Sequence, residues 1–166
     1  MQSRAKAFGH AVHPMLIVFP LGLLTTAVVF DVLHLVTDRP GFPVAAAYVI
    51  AAGVIGGVAA AVFGLVDWLA IPAGTRARRV GTLHGLGNAV VLVLFAVSWL
   101  LRAGTAEWVP GVWALVLGFA GLVLAGITGW LGGELIERLG VGVDDNAQLD
   151  APSSLSRHTT PRHKPA

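Results

Sequence analysis

The stretch FPVAAAYVIAAGVIGGVAAAVFGLV, residues 42–66, runs for 25 residues without a charge. About 20 apolar residues are enough to carry a helix across the hydrocarbon core of a bilayer. This stretch therefore reads as the centre of a membrane-spanning helix over 44–71, closed by Asp67-Trp68 and ended by Pro72 and Gly74. Three more segments of the same kind surround it, over 14–36, 80–101 and 108–139. In segment one, Pro14 suits a first helical turn, whereas Pro20 lies inside and predicts a kink. The reading is an all-α integral membrane four-helix bundle, up-down-up-down, over 1–143, followed by a disordered tail over 144–166.

The composition agrees. Only 12% of the 166 residues are charged and 55% are hydrophobic, against about 25% charged in soluble domains. Mean hydropathy is +0.77. The chain lacks cysteine, which excludes structural disulfides, cysteine-ligated zinc, iron–sulfur clusters and thioether-attached haem. Arg4 and Lys6 precede the first apolar run as in a secretory signal, but no small-residue cleavage pattern occurs before Asp31. A retained helix is expected. No nucleotide-binding loop, nucleophile elbow or zinc-protease motif occurs.

Small residues form ridges on two segments. Gly53, Gly57 and Ala61 make one, Gly56, Ala60 and Gly64 a second, and Gly121, Ala125, Gly129 and Gly133 a third. Such ridges let helix backbones approach closely in lipid, within the bundle or in a homo-oligomer. The tryptophans at 68, 99, 108, 113 and 130 lie towards segment ends, as an interfacial belt does. Basic residues are unevenly placed. Arg4, Lys6, Arg76, Arg78, Arg79 and Arg138 fall at one end, joined by Arg157, Arg162 and Lys164 in the tail, and Arg39 and Arg102 at the other. The positive-inside rule then puts both termini on the cytoplasmic side of a bacterial inner membrane. The charge is a topology signal and gives no reason to expect nucleic acid; the lipid bilayer is the expected partner.

Four ionisable residues carry the functional question. His13 opens segment one, Asp67 closes segment two, His84 opens segment three and Glu134 closes segment four. Alternating helices bring all four to one end, with His84 and Asp67 about 6 Å inside their segments. Ionisable groups in a bilayer are costly and mark functional sites by default. Imidazole and carboxylate together suit a divalent metal such as zinc, iron or manganese, and two imidazoles suit the iron of a b-type haem. The metal set is His13, Asp67, His84 and Glu134; the cofactor set is His13 and His84, with Asn88 one turn deeper fixing the His84 ring. The competing reading is helix-end decoration, with His13 capping its helix, Glu134 paired with Arg138, and Asp67 paired with Arg76 or Arg79. His10, His158 and His163 read as solvated. Asp31 and His34, three apart near the other end, read as a local pair or as an outward proton or cation relay.

The strings HAVHPMLIVFPLG (10–22), Asp67-Trp68, GTLH (81–84) and GWLGGEL (129–135) resemble a bacterial membrane family catalogued as domain of unknown function 2231, over about residues 8–143. The resemblance implies a four-helix integral membrane protein without an established activity, with its motif residues at His13, Asp67, His84 and Glu134. Members carry histidine before the Phe-Pro of segment one, where this chain has Val18. Three functions remain open: a small cofactor protein passing electrons to a redox partner or quinone, a non-enzymatic membrane scaffold or subunit, and proton or metal-ion transport.

Overall fold

The structure, a computed structural model, describes residues 1–156. Its helices are α1 (Val12–Leu16), α2 (Val18–Thr37), α3 (Gly41–Ala70), α4 (Arg76–Ala103) and α5 (Val112–Gly133), with a 3₁₀ turn at Ala106–Trp108 and a π-helical turn at Glu134–Arg138. They make four spans of 26, 30, 28 and 33 residues, each apolar enough to cross a membrane. The closest packing joins α2 to α3 and α4 to α5; α3 against α4 and α2 against α5 complete the ring. The outer face stays apolar, with Tyr48, Ile55, Leu86 and Val123 among its exposed side chains. That face matches lipid rather than water.

The helix ends follow local chemistry. Pro20 has no N–H for the carbonyl of Leu16, four residues back, and the first span breaks at Ile17 between α1 and α2. Helix α4 begins at Arg76, earlier than the apolar run suggests, because Thr75 Oγ1 caps it by accepting the Arg78 N–H at 3.1 Å. Helix α5 begins at Val112 instead of Trp108, because Glu107 and Trp108 turn the chain through positive φ (53° and 61°). Ahead of α1, strands β1 (Lys6–Ala7) and β2 (His10–Ala11) form a two-stranded hairpin. Its turn residues Phe8 and Gly9 both have positive φ, as a tight hairpin requires.

The core centres on Leu24, Ala27, Val28, Ala46, Ile50, Val91 and Phe95. The expected ridges lie largely inside the bundle. A Cβ on Gly53 would meet Leu24 at 2.7 Å, one on Gly121 would meet Phe95 at 2.8 Å, and Gly57 packs on Leu92. Gly129 and Gly133 have open space where a Cβ would be. Residues 144–156 carry turns and no helix or strand. Lys6 Nζ lies 3.5 Å from Asp144, the terminal ammonium 3.7 Å from Asp145, and His10 Nε2 3.3 Å from Ser154 Oγ. The Asn146 N–H holds the Asp144 carboxyl below its ordinary range, and Lys6 adds to this. Of the expected tail, residues 157–166, with His158 and His163, lie outside the described residues.

Candidate functional site

Two of the four expected residues face each other. The rings of His13 and His84 lie 6.3 Å apart between centres, edge to face at 88°. His13, on α1, places Nδ1 2.8 Å from the carbonyl oxygen of Ala60 on α3. His84, on α4, places Nδ1 2.9 Å from that of Thr128 on α5. A carbonyl oxygen only accepts, so each Nδ1 carries the proton. In the neutral ring the lone pair is then on Nε2. A hydrogen bond from one ring nitrogen that fixes the other for ligation is the usual support of a metal-bound histidine.

Each ring also lies over a glycine one turn beyond its carbonyl. A Cβ at Gly64 would fall 2.9 Å from His13 Nδ1, and one at Gly132 would fall 3.1 Å from His84 Cε1. Asn88 lies beside the His84 ring, its Nδ2 3.4 Å from Nδ1 and 3.3 Å from Nε2. Its amide donates to the His84 carbonyl at 2.9 Å, while its Oδ1 accepts from Thr128 Oγ1 at 3.0 Å. Because α4 starts at Arg76, His84 is eight residues inside it, about 12 Å along the helix rather than 6 Å.

Asp67 and Glu134 are engaged elsewhere. Asp67 accepts from Ser3 Oγ at 2.8 Å, the Arg4 N–H at 2.8 Å and the Ala5 N–H at 3.4 Å, and so clasps the N-terminal segment to the end of α3. It pairs with neither Arg76 nor Arg79. Glu134 pairs with Arg76 at 2.6 Å instead of Arg138. Among the described residues, no three His, Cys, Asp or Glu side chains gather where they could hold one metal ion between them. Of the four residues expected to share one metal, the structure brings only His13 and His84 together. The capping role for His13 also falls: Ala11 occupies the cap position, and the imidazole reaches across to α3.

In the sequence Arg78 reads only as a topology charge. Its guanidinium stacks 3.5 Å over the Trp68 ring and donates to the carbonyls of Trp68 and Ile71, closing the end of α3. Trp68 Nε1 donates in turn to Thr82 Oγ1 at 3.1 Å.

At the opposite end the expected Asp31–His34 pair is replaced. Asp31 receives both Arg102 guanidinium nitrogens, at 2.6 and 2.7 Å, and both residues are buried. Helix α4 runs on to Ala103, so Arg102 is a bundle residue and not a loop charge. Ser98 Oγ accepts from Arg102 at 3.3 Å and donates to the Ala114 carbonyl at 2.7 Å. His34 turns outward to the Arg39 carbonyl at 3.2 Å. Two clefts occur near this end, one lined by Phe30, Arg39 and Phe42, the other by Tyr48, Trp99 and Trp108. Neither adjoins the histidines.

Residues 9–145 match the model of a family described as predicted membrane protein (DUF2231), and the chain belongs to that family. No curated protein and no solved structure matches the chain.

Proposed function

We propose that this member of the predicted membrane protein family is a small cofactor protein whose centre is the His13–His84 pair. The carrying observation is that both Nδ1–H groups are spent on backbone carbonyls while the rings face each other at 6.3 Å. Two imidazoles bound to one shared atom, through bonds of about 2.0–2.1 Å, have centres about 6 Å apart. With two protein donors, the metal must bring the rest of its coordination sphere, as haem iron does with its four ring nitrogens. A bare ion such as copper, which imidazole suits, is the other form. A porphyrin also requires the helices beside the rings to part; a bare ion does not. When bound, such a centre supplies one-electron chemistry. The chain's residues hold the rings, fix their tautomers and surround the centre with low-dielectric packing.

Loop charge supports placing this end on the cytoplasmic side. Among the described residues, with Arg102 buried in its ion pair, Arg39 alone stands at the other end, against Arg4, Lys6, Arg76, Arg78, Arg79 and Arg138 at this one.

The test is a visible spectrum and metal analysis of detergent-purified protein, after reconstitution with haem and, separately, with copper. One centre per chain is expected, lost in His84→Ala and in His13→Ala. A colourless, metal-free protein after both reconstitutions refutes the proposal. A second reading, a non-enzymatic scaffold or subunit, is favoured by the use of Asp67, Glu134, Asp31 and Arg102 as ties between segments. Under it, His13→Ala and His84→Ala change stability and leave no cofactor to lose.

A further inference from the structure

The two halves of the bundle repeat one set of contacts at nearly constant offsets. His13 on α1 bonds the carbonyl of Ala60 and lies over Gly64; His84 on α4 bonds that of Thr128 and lies over Gly132. The offset is 71 residues between the histidines and 68 between the carbonyls and between the glycines. The same offsets relate a second contact: Gly53 abuts Leu24, and Gly121 abuts Phe95. They also relate buried Ala46 to buried Ala114. At 71 residues from Asp31 stands Arg102, its own ion-pair partner.

We infer that the chain is two copies of one helical hairpin, the first span with the second and the third with the fourth, facing each other across a pseudo-two-fold axis along the membrane normal. We further infer that His13 and His84 form one ligand pair shared by both copies. The inference rests on the cofactor reading above and adds where the ligand sits, which residues position its donors and why there are two.

Odd-numbered spans point the same way, so an axis relating the hairpins runs along the helices, as in parallel-repeat transporters. A residue on such an axis meets its own counterpart. Two observed polar pairs do so: His13 with His84 at one end, and Asp31 with Arg102 at the other. Their chemistry differs in a way that assigns a role to each end. Asp31 and Arg102 are unlike, and they neutralise each other without a guest. His13 and His84 are alike, each with its proton on Nδ1 and bonded away. Two such Nε2 lone pairs cannot hydrogen-bond to each other. An electron-pair acceptor on the axis, a metal ion in the first instance, would join them, taking the place of the Asn88 amide that approaches His84 Nε2 at 3.3 Å. Asn88 breaks the symmetry, since the position 71 residues before it is Ile17. Its amide approaches His84 alone, so the two rings are not expected to contribute equally. Gly64 and Gly132 act as positioning residues, because a Cβ at Gly64 would displace the His13 ring and one at Gly132 would crowd the His84 ring by a few tenths of an ångström, each at the carbonyl that sets the tautomer.

The test uses full-length protein in detergent with ¹⁵N-labelled histidine. Side-chain nitrogen shifts should show His13 and His84 both neutral, protonated on Nδ1. Gly64→Ala should shift only the His13 signals and Gly132→Ala only those of His84, each weakening the centre about 10–100-fold, the range for lost outer-shell support. Copper or haem b at one equivalent should perturb both rings, and His13→Gln and His84→Gln, which keep size and polarity where alanine removes both, should each lower affinity at least tenfold. A ring protonated on Nε2, or a probe that perturbs one ring alone, overturns the shared pair and leaves a single-histidine cofactor protein standing. Binding of neither probe overturns the shared pair and the cofactor reading together.

Discussion

Removing one member of the Asp31–Arg102 pair is the sharpest test of the bundle's construction. The pair is bidentate at 2.6 and 2.7 Å, with side chains 2% and 0% exposed. Replacing Asp31 by Ala leaves a guanidinium in the bundle with only Ser98 Oγ, at 3.3 Å, to receive it. Breaking a buried pair in this way costs about 3–5 kcal/mol, which is two to three and a half orders of magnitude in the folding equilibrium at about 1.4 kcal/mol per decade. Arg102 lies one residue from the end of α4 and has a long stem that can carry its charge towards the interface. Asp31 sits six residues inside α2, about 9 Å from its end, on a short side chain. Arg102→Ala is therefore expected to cost more than Asp31→Ala. Replacing both by apolar residues of similar size, Asp31→Leu with Arg102→Met, should leave stability within about 1 kcal/mol of the parent or above it, since no charge is then stranded. The assay is reversible unfolding in mixed detergent and SDS micelles, followed by tryptophan fluorescence, with the parent, Asp31→Leu, Arg102→Met and their double variant arranged as a double-mutant cycle beside the two alanine variants. If the two single losses simply add in the double variant, the pair has no coupling energy and the reasoning fails.

Three further outcomes follow from the contacts described. Asp67→Ala removes the acceptor for Ser3, Arg4 and Ala5; at about 1.5–3 kcal/mol for a hydrogen bond to a charged group, trypsin should cut at Arg4 and Lys6 at least tenfold faster, and an unchanged rate would deny the clasp. Gly121→Ala sets a Cβ 2.8 Å from the fully buried Phe95 ring, so overpacking should destabilise the bundle by about 1–3 kcal/mol in the same unfolding assay, and unaltered stability would mean α4 and α5 pack less closely than described. The chain has no cysteine, so a single Cys placed by Ala73→Cys or Glu107→Cys reports sidedness. An impermeant thiol reagent outside intact cells should label position 107 and spare position 73, and the reverse pattern would invert the proposed topology.

Much of the architecture was legible locally. The four spans follow from uninterrupted apolar runs, and the break at Ile17 follows from Pro20, because both depend on neighbouring residues alone. The co-location of His13 and His84 followed from counting alternating helices. Asn88 was legible too, since residues four apart on a helix share a face. The repeat was harder to see. At the two offsets His13, Ala46, Gly53 and Gly64 recur as the same residue type, but most other positions exchange one apolar residue for another. Lipid-facing and core positions in a membrane bundle accept many such exchanges, so similarity survives mainly where two backbones or a ring and a backbone touch.

By itself the sequence determined that this chain is a four-helix membrane bundle with polar groups gathered at its ends, because hydropathy, helix length and proline act over a few residues. Only the tertiary structure decided whom those groups meet. Asp67 reaches Ser3 across 64 residues, Glu134 reaches Arg76 across 58, and Arg102 reaches Asp31 across 71. Each of these groups had nearer partners of suitable charge or hydrogen-bonding capacity along the chain. In a low-dielectric interior the winning partner is the one that the packing presents at hydrogen-bond distance, and helix packing, set by contacts such as Gly53 on Leu24 and Gly121 on Phe95, is a property of the whole bundle.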